Sequence, residues 1–182
     1  GSFAFGAPGL VPDAGTLLHG VVFSPVDAAN YNVSGGSVQV QVNKAMPVIY
    51  AAPVAGAISY GETLSASTLS AGSASVGGMF VYKTPGTVPM VGMSMQEVLF
   101  QPADGMNYSV GGSMVSVQVN KAMPVVLSAP VASAISYGQP LSASTLSGGE
   151  GSVAGTFGFS APASIPAAGM FTAGVTFTPA DT

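Results

Sequence analysis

Residues 38–42 read Val-Gln-Val-Gln-Val, and residues 115–119 read Val-Ser-Val-Gln-Val. In both stretches valines alternate with polar residues, which is the period-two pattern of a β-strand that buries one face. No window of the chain keeps the spacing of an amphipathic helix over helix length. The sequence therefore predicts an all-β fold.

The two valine stretches belong to a longer repeat. The hexapeptide Asn-Lys-Ala-Met-Pro-Val occurs at 43–48 and again at 120–125, an interval of 77 residues. A regular period of this length is typical of a tandem array of small domains. The same interval relates Tyr60 to Tyr137, the segment 64–70 to 141–147, Phe3 to Phe80 and Phe157, and Asp27 to Asp104 and Asp181.

The period divides the chain into three parts. Residues 43–119 are predicted to form one complete Ig-like repeat, 1–42 the C-terminal part of a repeat, and 120–182 an incomplete one. Further strands are expected at 46–52 and 57–60 and at their counterparts 123–129 and 134–137. Recurring Pro and Gly indicate connecting loops between strands. Those residues are Pro8, Pro12, Gly15, Pro85, Pro89, Gly92, Pro162, Pro166 and Gly169.

Six or seven short strands per period indicate a small β-sandwich. Only three residues, 43–45, separate the strand that ends at Val42 from Met46-Pro47. Because the residue before a proline favours extended conformations, we expect a semi-rigid junction between modules.

The composition limits the classes of partner. Only 5% of residues are charged, with three Lys and no Arg, while 48% are hydrophobic. A surface with so little charge favours self-association, either head-to-tail or lateral. The few lysines cannot neutralise a run of phosphates, so no nucleic-acid partner is expected. No apolar run approaches the roughly 20 residues that cross a bilayer, so no membrane insertion is expected.

The segments Ile-Ser-Tyr-Gly at 58–61 and 135–138, with Thr-Leu-Ser-x-Gly at 68–72 and 145–149, resemble the bacterial Ig-like repeats of the MBG (YGX) type. This resemblance spans essentially the whole chain. It implies tandem β-sandwiches in a large secreted or surface-anchored, often adhesin-like, bacterial protein, and hence an extracellular or cell-surface location. Several methionines, including Met46, Met90 and Met123, stand where the resemblance implies small polar residues.

Candidate chemical residues are few, and we predict no enzyme, no cofactor, no metal site, and no catalytic or binding residue. His19 is the only histidine, and its counterparts are Gln96 and Ala173, so an exposed or hydrogen-bonded strand histidine is expected. Asp27, Asp104 and Asp181 each end a Phe-x-Pro-x-Asp motif, which is followed by Asn-Tyr in the first two copies. This pattern is compatible with a calcium ligand but favours an Asx-turn or loop cap. Lys44 and Lys121 are candidates for an isopeptide bond with an Asn or Asp, although both lie at a junction flanked by proline.

Sugar binding and ice binding are both disfavoured. The chain has no Trp, most Phe follow the buried phase of a strand, and no regular Thr-x-Thr ladder is present.

Two explanations of the incomplete parts are open. Either the chain is a segment of a longer array, or incomplete parts complete each other between molecules as a head-to-tail fibre. Simple complementation overshoots, because 155–182 repeats 1–28. The predicted function is a structural stalk or self-associating filament at a bacterial surface. The alternative is an adhesive or carbohydrate-binding module that uses loops such as 85–92.

Overall fold

A computed structural model describes residues 1–181. The fold is all-β, as predicted: within these residues there are 17 strands, two 3-10 turns and no α-helix. The chain divides into two compact units, a first unit of residues 1–121 and a second unit that begins at Ala122. The predicted boundaries at 42/43 and 119/120 stay a prediction.

The first unit begins with a three-stranded antiparallel sheet, here called the N-terminal sheet. Its strands are β1 (Ser2–Phe5), β2 (Gly15–Ser24) and β3 (Ser34–Val42), in the order β1-β2-β3. The valine stretch at 38–42 lies in β3, as its alternation predicts. β2 pairs with β3 over nine residues, with His19 opposite Val38.

Residues 43–121 of the first unit carry eight strands around one core. They are β4 (Ile49–Ala51), β5 (Val54–Ala55), β6 (Ile58–Ser59), β7 (Leu69–Ser70), β8 (Ser73–Ala74), β9 (Gly78–Tyr82), β10 (Gly92–Pro102) and β11 (Gly111–Asn120). Four of them form a sheet in the order β6-β11-β10-β9. β4 pairs with β8, β5 pairs with β7, and a 3-10 turn spans Leu64–Ala66.

The valines of β11 form the centre of the core. Val115, Val117 and Val119 are at most 4% exposed, while Ser116 and Gln118 between them face solvent. The valines pack in one cluster with Ile58, Leu64, Tyr82 and Val98. The alternation in the sequence therefore defines which face of the sheet is buried.

One buried polar contact lies beside this cluster. The Ser67 hydroxyl donates to the carbonyl oxygen of Gly56 at 2.6 Å and lies 2.8 Å from the Tyr82 hydroxyl. These bonds satisfy both hydroxyls, so their burial carries little desolvation cost.

The loop between β9 and β10 is fixed to the core. The carbonyl oxygens of Pro85 and Thr87 accept hydrogen bonds of 2.9 Å from the backbone N–H groups of Ser65 and Leu64. The loop ends at Gly92, whose φ of 107° is the conformation that glycine tolerates best. The predicted connecting loop is therefore confirmed.

The second unit contains short strand pairs. Its strands are β12 (Val126–Ser128), β13 (Val131–Ala132), β14 (Leu146–Ser147), β15 (Glu150–Gly151), β16 (Gly155–Phe159) and β17 (Val175–Pro179), with a 3-10 turn at Leu141–Ala143. β12 pairs with β15, β13 with β14, and β16 with β17.

The strand predicted at 134–137 does not form. Its counterpart β6 exists because Ile58 and Ser59 pair with Val119 and Asn120 of β11. Residues 122–181 contain no strand in the position of β11. For the same reason β17 begins only at Val175, whereas the first residues of β10, from Gly92, pair with β11 alone. A strand that lacks its neighbour loses the ladder hydrogen bonds that define it.

Candidate interaction surfaces

His19 lies on the apolar face of the N-terminal sheet. Its ring packs edge-on against Phe5 at a centroid distance of 6.3 Å and is half-buried. Its Nε2 atom is buried and has no hydrogen-bond partner among residues 1–181. The prediction of an exposed or hydrogen-bonded histidine was therefore wrong, because the side chains around it are apolar.

Asp27 and Asp104 cap their loops through hydrogen bonds. Asp104 accepts bonds from the backbone N–H groups of Met106 (3.2 Å) and Asn107 (3.1 Å) and from the Asn107 side chain (2.9 Å). Asp27 accepts bonds from the backbone N–H and the side chain of Asn30. The Asx-turn interpretation is therefore confirmed for these two residues.

The caps predict a dependence of stability on pH. The hydrogen bond from the Asn107 side chain is the largest cause that lowers the pKa of Asp104 below its ordinary value of 3.8, and that from Asn30 does so for Asp27. A lowered folded-state pKa stabilises the protein above the unfolded pKa, and this contribution is lost as pH falls through the folded value. We expect the free energy of unfolding to fall below pH 3.8.

Urea denaturation across that range measures this effect. Asp104→Asn should lower stability at neutral pH and flatten the acid slope. An unchanged slope in this variant would contradict the assignment.

Asn107 also connects the N-terminal sheet to residues 43–121. Its Nδ2 donates to Asp13 Oδ1 at 3.0 Å, and its Oδ1 accepts from the backbone N–H of Ala14 at 2.7 Å. Its backbone carbonyl accepts from the N–H of Ala45 at 2.8 Å. We call this set of contacts the Asn107 clamp. Through these contacts, Asn107 binds both the loop before β2 and the segment that follows β3.

Lys44 contributes to the same region. Its Nζ donates to the carbonyl oxygen of Gly105 at 2.6 Å, and the residue is exposed. Isopeptide chemistry needs a buried lysine beside an amide or acid side chain, so this geometry fits a junction contact better.

Apolar side chains of the N-terminal sheet are open to solvent. Phe3 is 74% exposed, Phe5 50% and Val38 41%. Their counterparts 77 residues later, Phe80, Tyr82 and Val115, are half-buried or buried. The expectation that most Phe are buried is therefore wrong for β1, because no layer covers this face in the first unit.

The second unit contains an open groove of about 740 Å³, lined by both apolar and polar side chains. Ile135, Leu141, Leu146, Phe159, Phe171 and Val175 are among the residues that line it. Phe171 is 50% exposed and Val175 36%. We call this feature the unit-two groove. The sequence pattern did not predict this groove.

All nine methionines of the chain are at least 49% exposed. Four of them lie on the outer face of the sheet β9-β10-β11: Met79 on β9, Met93 and Met95 on β10, and Met114 on β11. On this face Glu97 pairs with Met114 and Gln101 pairs with Met79. This face of the first unit therefore combines flexible methionine side chains with polar ones such as Glu97 and Gln101.

Residues 1–181 hold no group of three or more His, Cys, Asp or Glu side chains arranged to bind a metal ion. Among these residues there is also no helix long and apolar enough to span a membrane.

No protein-family model matches the chain, and neither a curated protein sequence nor a solved structure shows significant similarity to it. The resemblance to MBG repeats therefore stays a prediction.

Proposed function

We propose that this chain is a structural, non-enzymatic part of an extracellular bacterial protein, built from tandem Ig-like β-sandwich modules with a 77-residue period. The modules act mechanically, as a semi-rigid stalk or a self-associating filament. Strand positions support the period: β4 begins at Ile49 and β12 at Val126, and β9 begins at Gly78 and β16 at Gly155.

The Asn107 clamp carries the mechanical part of the proposal. A flexible linker would leave residues 43–45 free of contacts with the loops on either side. Here Ala45 donates to the Asn107 carbonyl and also accepts at 2.9 Å from the N–H of Ser109. In the junction between β3 and β4, both the N–H and the carbonyl group of Ala45 are thus hydrogen-bonded to the segment 107–109.

Self-association has separate support from the surface. The chain carries a formal net charge of only −4 on 182 residues, so charge repulsion between copies is weak. In residues 43–121, the exposed methionines Met79, Met93, Met95 and Met114 offer apolar surface that association would bury.

The alternative, an adhesive or carbohydrate-binding module that uses loops such as 85–92, has less support. The backbone of that loop is tied to Leu64 and Ser65. In the second unit, the carbonyl oxygens of Pro162 and Ser164 bind Ser142 and Leu141 in the same way. A loop whose backbone is fixed to the core in both units fits a structural role.

Light scattering across a dilution series, with negative-stain imaging, tests the proposal. We expect the mass to rise with concentration and filaments with a regular axial repeat to appear. A monomer that persists at all concentrations would contradict the filament and leave the stalk as the proposed function. Substitution of Asn107 tests the stalk.

A further inference from the structure

Asp104 is followed by glycine, whereas its counterpart Asp27 is followed by alanine. Both aspartates begin the same turn. The Asp104 carbonyl accepts from the N–H of Tyr108 at 3.1 Å, and the Asp27 carbonyl accepts from Tyr31 at the same distance. A Cβ added to Gly105 would meet no atom within 4 Å, and Gly105 is not among the glycines with a positive φ angle. The turn therefore does not require glycine at position 105.

An aspartate that precedes glycine can react with the next peptide bond. The Gly105 nitrogen forms a bond to Asp104 Cγ, and the carboxyl hydroxyl leaves as water with the amide proton, which gives a five-membered succinimide. Water then opens the ring, and attack at the carbonyl next to Cα yields isoaspartate, whose main chain passes through Cβ and Cγ. The first step needs a protonated carboxyl group and an unhindered nitrogen, which glycine provides because it has no Cβ.

In the folded chain, three hydrogen bonds hold the Asp104 carboxylate. Its Oδ1 accepts from the N–H groups of Met106 and Asn107, and its Oδ2 accepts from Asn107 Nδ2 at 2.9 Å. The bond from the Asn107 side chain is the largest cause that lowers the pKa of Asp104, so protonation is opposed. Asn107 Nδ2 is itself fixed, since it also donates to Asp13 Oδ1 at 3.0 Å.

We propose that Asp104-Gly105 is a site of isoaspartate formation that the Asn107 clamp keeps closed. Opening of the clamp releases the carboxylate and allows the reaction. In the product, the carbonyl that closed the turn has become the free carboxylate, and the main chain is longer by one methylene. The turn cannot re-form with its original geometry, so a junction that has opened stays weakened. This last consequence rests on the stalk proposed above, while the site itself does not.

Ageing of the purified chain at neutral pH tests the site. Peptide mapping with electron-transfer fragmentation locates isoaspartate and distinguishes it from aspartate. We expect Asn107→Ala to form isoaspartate at Asp104 about tenfold faster or more than the unmodified chain, because local opening governs the reaction. Asp13→Ala removes an exposed partner of Asn107 and leaves the cap in place, so it should give a smaller increase.

Slow amide exchange at the buried Val117 shows whether each variant is folded. If Asn107→Ala does not fold, the comparison of Asp13→Ala with the unmodified chain decides. Unchanged rates at Asp104 in every folded clamp variant overturn the proposal.

The first copy supplies a matched control. Asn30→Ala removes the corresponding bond to Asp27, but the next residue is alanine, so we expect little isoaspartate there. Gly105→Ala, placed in the Asn107→Ala chain, should suppress the product at Asp104, because the added Cβ fits the turn and hinders attack. Undiminished product after Gly105→Ala also overturns the proposal.

Amide exchange at Ala14 separates this inference from the proposed function. Faster isoaspartate formation in Asn107→Ala without faster exchange at Ala14 supports the site and contradicts the stalk. Faster exchange at Ala14 without isoaspartate at Asp104 overturns the site and leaves the stalk standing.

Discussion

Leu64→Ala is expected to lower the free energy of unfolding of the first unit by about 2–5 kcal/mol. Leu64 is fully buried in the cluster that contains Val98 and Val117. Removal of its side chain leaves a cavity enclosed by the surrounding core residues, including Val98 and Val117. Urea denaturation, combined with amide exchange to assign the loss to residues 1–121, measures the effect.

Leu141→Ala is the matched control, because Leu141 has the same place in the second unit. Leu141 is 6% exposed and lines the unit-two groove. We expect a smaller loss, about 1–2 kcal/mol, since the space left by the side chain opens to solvent and forms no closed cavity. Equal losses at the two positions would show that β11 adds nothing to the environment of Leu64.

Asn107→Ala is expected to cost about 1–3 kcal/mol and to loosen the junction after β3. The substitution leaves the partly buried N–H of Ala14 without its 2.7 Å acceptor and removes the bonds to Asp13 and Asp104. Amide exchange at Ala14 should accelerate by about tenfold or more, which reports directly on the separation of the two segments.

Asn30→Ala separates the clamp from the cap. Asn30 donates to Asp27 at 2.8 Å, as Asn107 does to Asp104. The contacts found for Asn30 lie within its own loop. We expect this variant to lose only the cap, with little change in exchange at Ala14. If both variants accelerate that exchange equally, Asn107 does not hold the junction and the stalk proposal loses its main support.

The strands that could be predicted from the sequence are those whose own residues show the full alternation of apolar and polar side chains. The alternating valines of β3 and β11 identified both strands and the buried face of β11. Recurring glycines after prolines identified the loops, and Gly15, Gly92 and Gly169 all have positive φ angles. These features depend on a few neighbouring residues, which is why local sequence reveals them.

The predicted strand that does not form, at 134–137, depends on pairing with a strand that is distant in the sequence. Residues 58–61 and 135–138 have the same sequence, Ile-Ser-Tyr-Gly. Only the first of these segments contains a strand, because only Ile58 and Ser59 have β11 beside them. Strand formation at this segment thus depends on the pairing strand, and the positions 77 residues after β11 lie beyond Thr182.

The clamp could not be predicted for a related reason. Asn107 bonds to Asp13, which is 94 residues away in the sequence. The repeat gives no signal for this contact, since the counterparts of Asp13 are Met90 and Ala167. The one feature of the sequence that sets this position apart is Asp13 itself. It is an acidic residue in a loop whose prolines and glycine recur in every copy.

The exposure of every methionine has a consequence for the chemistry of the surface. Oxidation converts the thioether to a polar sulfoxide, and in most proteins it damages the core when a buried methionine is hit. In this chain no methionine belongs to the core cluster, and there is no cysteine to oxidise. Oxidants can therefore make the outer face of β9-β10-β11 more polar while the valine-centred core keeps its packing.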